Sequence, residues 1–297
     1  MTAYNFLKEA SLYLDYNDVV YNIDTSEIDF SQTFTETSYK VQTLHDTNYF
    51  EASVINKANP ANFSFNMPVL RGTDLEVVVD RLLNCDTFNL YISTKQDVFK
   101  LSNCVITNGT FQIEKSRPLR LTIEGEASKL SKNETLPEDI QERSDVRLYN
   151  KVALPLVQLG EKDISSSVVS LNVELQNDIQ WSPYTTVQGG IAAGTSSSEE
   201  GTMYPSNFTI SKKILGGSIS RYLNDETEED AQTWSSNTSL RIKAGQEVDS
   251  TFYGFDFNIT NCSFTNRASV GPVFTQAYDW RMTQNPASLS DVIIYNT

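Results

Sequence analysis

Histidine is nearly missing from this chain: His45 is the only one among 297 residues. Its scarcity removes the Ser-His-Asp triads, His-rich metal sites and most Cys-His pairs that would need a spare imidazole. Cysteine is scarce too. Cys85, Cys104 and Cys262 cannot all pair within the chain, and none sits in the Cys-x-x-Cys spacing that holds zinc. They read as buried thiols acting as small apolar groups. Positive charge is in deficit, with 23 Lys and Arg against 38 Asp and Glu and a formal net charge of −15. Such a surface repels phosphate backbones and anionic lipid rather than gripping them. No run of roughly 18 apolar residues is present to span a bilayer. The opening residues, Met1 to Glu9, lack the apolar core of a signal segment, so the expectation is assembly in a cytoplasm with no membrane partner.

What is present is an internal echo. Asn103-Cys104-Val105-Ile106-Thr107-Asn108 and Asn261-Cys262-Ser263-Phe264-Thr265-Asn266 read almost alike and occupy corresponding places in the two halves. Two weaker matches precede them in the same order: Ile23 to Ser26 with Ile164 to Ser167, and Asn62-Phe63-Ser64-Phe65 with Asn207-Phe208-Thr209-Ile210. The spacing between partners grows along the chain, so the second copy carries extra residues, expected mostly between Phe208 and Cys262. A repeat this long is a domain rather than a solenoid module.

Alternation with period two is the dominant local pattern. Phe63, Phe65 and Met67 alternate with Ser64 and Asn66, and Leu119, Leu121 and Ile123 with Arg120, Thr122 and Glu124. The second half repeats the habit in Val169, Leu171, Val173 and Leu175, and again in Phe255, Phe257 and Ile259. These are strands buried on one face and wet on the other, which suits antiparallel sheets. One helix is predicted from Asp74 to about Leu83, where a capping box starting at Thr73 precedes Leu75, Val78, Val79 and Leu82 at helical spacing. Charge and Pro137 mark the segment from Lys132 to Lys151 as a linker. Pro183 to Pro205, rich in Gly and Ser, is expected to be a long mobile loop, of a length that is usually either functional or disordered.

No cluster singles itself out for chemistry. Gly189 to Gly194 lacks the Gly-Lys-Ser/Thr of a phosphate loop. The run Asp225 to Asp230 lacks the glycine turn that spaces calcium ligands. A glycosidase needs two carboxylates flanking a bond, and no pair stands out among so many. The expectation is a protein without cofactor, metal or enzymatic activity, although an acidic carbohydrate-active β-protein stays open as an alternative.

Four stretches, Ile28 to Val69, Asn103 to Leu130, Leu215 to Asp225 and Phe257 to Met282, resemble in order and spacing the duplicated tail tube proteins of T5-like siphophages. The resemblance implies a mainly β protein of two tandem antiparallel β-sandwich or barrel-type tube domains, residues 1–135 and 152–297 joined by a linker at 136–151, each with a short flanking helix. It further implies homotrimeric, pseudo-hexameric rings stacked into a virion tube, whose acidic lumen passes double-stranded DNA without binding it. Tape measure, terminator and tail-tip proteins are the other implied partners. Glu124, Glu126, Asp256 and Asn258 are the candidates to face the lumen. His45, Asn48, Gly190, Gly194, Glu199 and Glu200 are the candidates for contacts between rings. A tail-tip or baseplate hub protein of the same fold is the alternative within that machine.

Overall fold

A computed structural model describes residues 10–39, 52–71, 75–114, 117–141, 148–149, 153–182, 203–222, 238–270, 273–284, 286 and 288–296. The protein is mainly β, built from large antiparallel sheets. The first half runs β1 (Ser11–Tyr16), β2 (Val19–Ile23), β3 (Glu27–Ser31), β4 (Phe34–Tyr39), β5 (Ala52–Ala58), β6 (Ala61–Pro68), β7 (Leu70–Arg71), the helix α1 (Leu75–Asn84), β8 (Phe88–Ser93), β9 (Val98–Glu114), β10 (Arg120–Ala127) and β11 (Lys129–Lys132). The second runs β12 (Leu148–Tyr149), β13 (Ala153–Leu159), β14 (Lys162–Asp163), β15 (Val168–Trp181), β16 (Phe208–Tyr222), β17 (Thr238–Val248), β18 (Thr251–Val270), β19 (Phe274–Met282) and β20 (Ile293–Asn296).

Both halves follow one pairing order. In the first it is β2-β1-β8-β9-β10-β6-β3, with β11 also on β9. In the second it is β14-β13-β17-β18-β19-β16-β15, with β20 also on β18. The Asn-Cys echo is in register with this order. Cys104 lies opposite Phe88 and Cys262 opposite Thr238, and each ladder shifts just afterwards, bringing Leu101 opposite Leu90 and Ile259 opposite Leu240. Both thiols are fully buried.

The Asn62 echo is not in register. β6 and β16 are counterparts, but the ladders align Asn62-Phe63-Ser64-Phe65 with Gly216-Gly217-Ser218-Ile219 rather than with Asn207 to Ile210. Most of the extra length therefore lies in the β15–β16 hairpin, not after Phe208. Period-two sequences look alike at every even offset, so a short polar match on them does not determine register. Val169 departs from its expected inward position for a related reason: a ladder shift between Val168 and Ser170 leaves it 38% exposed.

The helix begins and ends within a residue of its expected place. Leu75, Val78, Val79 and Leu82 are fully buried on one face, which offsets the modest helix propensity of the valines. The capping residues Thr73 and Asp74 lie outside the described residues. At the other end Cys85 takes a left-handed φ of 58° and its N–H donates to Arg81 O at 2.9 Å, closing the last turn. Leu82 packs directly over Gly109, where an added Cβ would come within 2.3 Å of it. In the second half, single 3-10 turns are formed by Ser165–Ser167 and Leu289–Asp291.

The expected linker is tethered where it is described. Ile140 bridges Val20, Gln141 N–H donates to Val20 O at 2.8 Å, and β12 pairs with β7. The halves also share a core. The Phe111 ring of β9 packs edge-on against Phe255 and Phe257 of β18, with centroids 4.5 and 5.2 Å apart.

Candidate assembly face

The two halves meet edge to edge. β15 pairs with the C-terminal part of β9, from Ser170 opposite Glu114 to Gln176 opposite Asn108. The result is a run of eight neighbouring strands, β3-β6-β10-β9-β15-β16-β19-β18. One row of directly opposed residues crosses all eight: Glu27, Asn66, Thr122, Thr110, Glu174, Gly216, Arg281 and Ser263. Every member is polar or glycine. Strand alternation requires the neighbouring rows to face the other way, and they hold Phe65, Ile123, Phe111, Val173 and Trp280, all buried.

The polar face holds itself in place by short hydrogen bonds between strands. Thr122 Oγ1 donates to Asn66 Oδ1 at 2.7 Å, and Asn66 Nδ2 to Glu27 Oε2 at 3.4 Å. Asn172 Oδ1 accepts from the Ser218 backbone N–H at 2.5 Å and from its hydroxyl at 2.8 Å. Gly217 allows this close approach, since a Cβ there would stand 2.1 Å from Asn172 O. Acids outnumber bases. Glu27, Asp29, Glu114, Glu124, Glu126, Glu174, Asp178 and Asp279 lie on this face, against Arg120, Lys212, Arg267 and Arg281. Asp279 is already matched by Arg267 at 2.7 Å.

Of the expected lumen residues, Glu124 and Glu126 both lie on this face. Glu124 accepts from Asn108 Nδ2 at 3.4 Å, and Glu126 Oε2 accepts from Trp181 Nε1 at 2.6 Å. They line a shallow depression of about 290 Å³ together with Asp29 and Ser64. Asp256 and Asn258 are elsewhere, on the part of β18 that pairs with β17 and β20. Asp256 is nearly buried and takes both prongs of Arg241, Nε at 3.1 Å and Nη2 at 2.9 Å. That pairing holds the guanidinium's pKa above its usual value, chiefly through the hydrogen bond. The residues expected between rings, His45, Asn48, Gly190, Gly194, Glu199 and Glu200, lie outside the described residues. Glu174, Asp279 and Arg281 escaped the sequence reading because nothing local distinguishes one polar strand position from the next.

An antiparallel protein whose two halves share a strand order, fused edge to edge under one polar face, has the form of a repeating wall segment. The chain matches the bacteriophage baseplate tube protein family over residues 2–80 and 71–295. It belongs to that family. No curated protein matches it. As a baseplate tube family protein it is a structural component of the phage tail, carried in the virion and in contact with other tail and baseplate proteins. For a member of this family the eight-stranded face is the surface to explain, because a tube wall needs a continuous sheet with one side turned to water.

Proposed function

We propose that this protein is a tube subunit whose two halves act as tandem tube domains of the duplicated type, three chains closing into a ring of six. The observation that carries the reading is the β9–β15 seam. One chain already joins two units of equal strand order edge to edge, so repeating that joint extends the same sheet into a wall. Closure removes the exposed strand edges that an open sheet would present to other chains.

In such a ring the polar face lines the bore and the apolar rows stay within the wall. Asp29, Glu124 and Glu174 present carboxylates to passing DNA, while the arginines are partly taken up by pairs such as Arg267–Asp279. Like charge denies phosphates the cation contacts that hold DNA to proteins. At 0.1 M salt this field fades over about 10 Å, so it acts at the wall and keeps a sliding duplex from sticking. The role is structural rather than enzymatic. The family description supports a position at the baseplate end of the tube, and stacked rings of the same subunit would form the major tail tube.

Electron microscopy of the purified protein over a range of concentrations, with its mass in solution, tests this. Hollow trimeric rings or stacks of them are expected. A protein that stays monomeric at every concentration, alone and with its tail partners, overturns the reading.

A further inference from the structure

β16 has opposite chemistry at its two ends. The β16–β19 ladder spans Gly216 to Tyr222, and β19 ends at Met282, whereas β16 is paired with β15 from Phe208 onward. Beside the earlier part of β16 lies a cleft of about 820 Å³, bounded by the end of α1 and the Leu289–Asp291 turn. Leu175, Leu215 and Met282 give it an apolar lining, and Lys212, Lys213 and Arg281 add three positive charges. Those charges are largely uncommitted. Lys212 has an exposed contact with Asp178 at 3.8 Å, and Lys213 Nζ donates to a neutral acceptor, Leu83 O. Among the described residues Arg281 has no ion pair. Among the described residues the lining holds one acid, Asp80, which accepts from the Tyr295 hydroxyl at 2.8 Å. On a chain with 38 acidic residues against 23 basic ones, such a cleft calls for an anionic occupant.

The other end of β16 leads into Asp225-Glu226-Thr227-Glu228-Glu229-Asp230, which begins three residues past Tyr222. This run lies outside the described residues; its sequence alone puts five carboxylates in six positions. At the same end of the sheet, where Tyr222 stands opposite Thr275 and Phe274 opposite Val270, Tyr222, Val273 and Phe274 are 48%, 54% and 54% exposed. Leu215 and Tyr222 are separated by about 23 Å of strand, at about 3.3 Å per residue.

We propose that the acidic run of one copy docks in the basic cleft of a copy in the next ring, so that rings stack head to tail. This rests on the ring reading above and adds which surfaces join one ring to another. Contact between two different ends of the same chain is heterologous, and without a closing rotation it gives an open stack. Cleft against cleft, or run against run, would set like charges together, so the same groups fix the polarity of the stack. Tyr222, Val273 and Phe274 lie on the approaching end, where stacking takes them out of water.

The test uses two charge-reversed variants, Lys212→Glu with Arg281→Glu and Glu226→Lys with Glu228→Lys, purified as rings and followed by electron microscopy and sedimentation. Lys213, which serves the helix end, is left in place. Each variant alone should form rings but need about tenfold more protein than the parent before rings stack, because like charges then meet at every contact. Mixed in equal amounts, the two should stack as readily as the parent, since each contact between unlike rings joins opposite charges. The parent's own stacks should come apart into rings as salt rises; this arm needs no substitution and decides the matter if a variant fails to form rings. Variants that stack like the parent, a mixture no better than its components, or parent stacks indifferent to salt overturn the proposal and leave the ring reading standing. Recovery only when all four substitutions share one chain also overturns it, by assigning the run to the cleft of its own chain. Absence of rings in the parent protein overturns both.

Discussion

Asn177 and Leu82, 95 residues apart, are joined by a buried hydrogen bond in which Asn177 Nδ2 donates to the last-turn carbonyl of α1 at 3.0 Å. The same amide donates to Ile106 O, also at 3.0 Å, and Lys213 Nζ reaches the next helix carbonyl, Leu83 O. The C-terminus of a first-half helix is thus capped by second-half side chains, which serve the carbonyls a helix leaves without partners.

Replacing Asn177 by Ala takes its amide donor from two carbonyl oxygens, leaving Leu82 O only the weak Cys85 thiol at 3.9 Å, and a buried acceptor that loses its donor costs about 1–3 kcal/mol. The expected loss is about 2–4 kcal/mol in denaturant unfolding. Asn177→Asp should be worse at pH 7, because it puts a carboxylate against the same two oxygens. Equal stability of Asn177→Ala and the parent chain would remove the capping role.

Phe111 belongs to the first half by sequence and to the second half's aromatic cluster by contact. Phe111→Ala should cost about 3–5 kcal/mol and weaken both halves together. Calorimetry is expected to give one transition for the parent chain and one, at lower temperature, for the variant. Two separable transitions, only one of them shifted, would show that the halves unfold independently.

The polar face is expected to let DNA pass because its charge is wrong for binding. Glu124→Lys combined with Glu174→Lys should leave assembly intact and make assembled protein retain duplex DNA. Its log affinity should fall against log salt by about 0.9 for each phosphate engaged. Retention by the unmodified protein at 0.1 M salt, measured by filter binding, would contradict the proposed role of this face.

Burial sets an alkaline limit on stability. It pushes the Cys262 thiol up to about 12, raises Cys104 further, and raises Tyr295, whose hydroxyl also donates to Asp80 at 2.8 Å. Each folded value lies above the unfolded one, so the neutral form is favoured in the native state. The stabilisation is complete below the unfolded thiol value of about 8.5 and is lost as pH rises through the folded values. Melting temperature should hold steady from pH 7 to 8 and decline above about pH 9. A thiol reagent at pH 8 should label the native chain far more slowly than the denatured one, which exposes all three cysteines.

Much of this architecture is written in the sequence. Alternation is a local property, so Phe63, Phe65, Leu121 and Ile123 announced inward faces wherever their partners lay. The helix was legible because its apolar spacing, Leu75, Val78, Val79 and Leu82, sits within a dozen residues. The Asn-Cys echo located two corresponding strands because a buried thiol beside a ladder shift is a specific local demand, made twice.

Tertiary structure alone decided how these pieces are arranged. Polar strand residues are interchangeable in sequence, so Glu124 and Glu174 on one face could not be told from Asp256, which turns to Arg241 instead. Register slides freely in an alternating pattern, and the misplaced Asn62 echo is the consequence. The joining of β15 to β9, and with it the shared core around Phe111, depends on which edges are left uncovered once each half has folded. That is a property of the whole surface and of no local segment, and it is the feature from which a tube wall can be built.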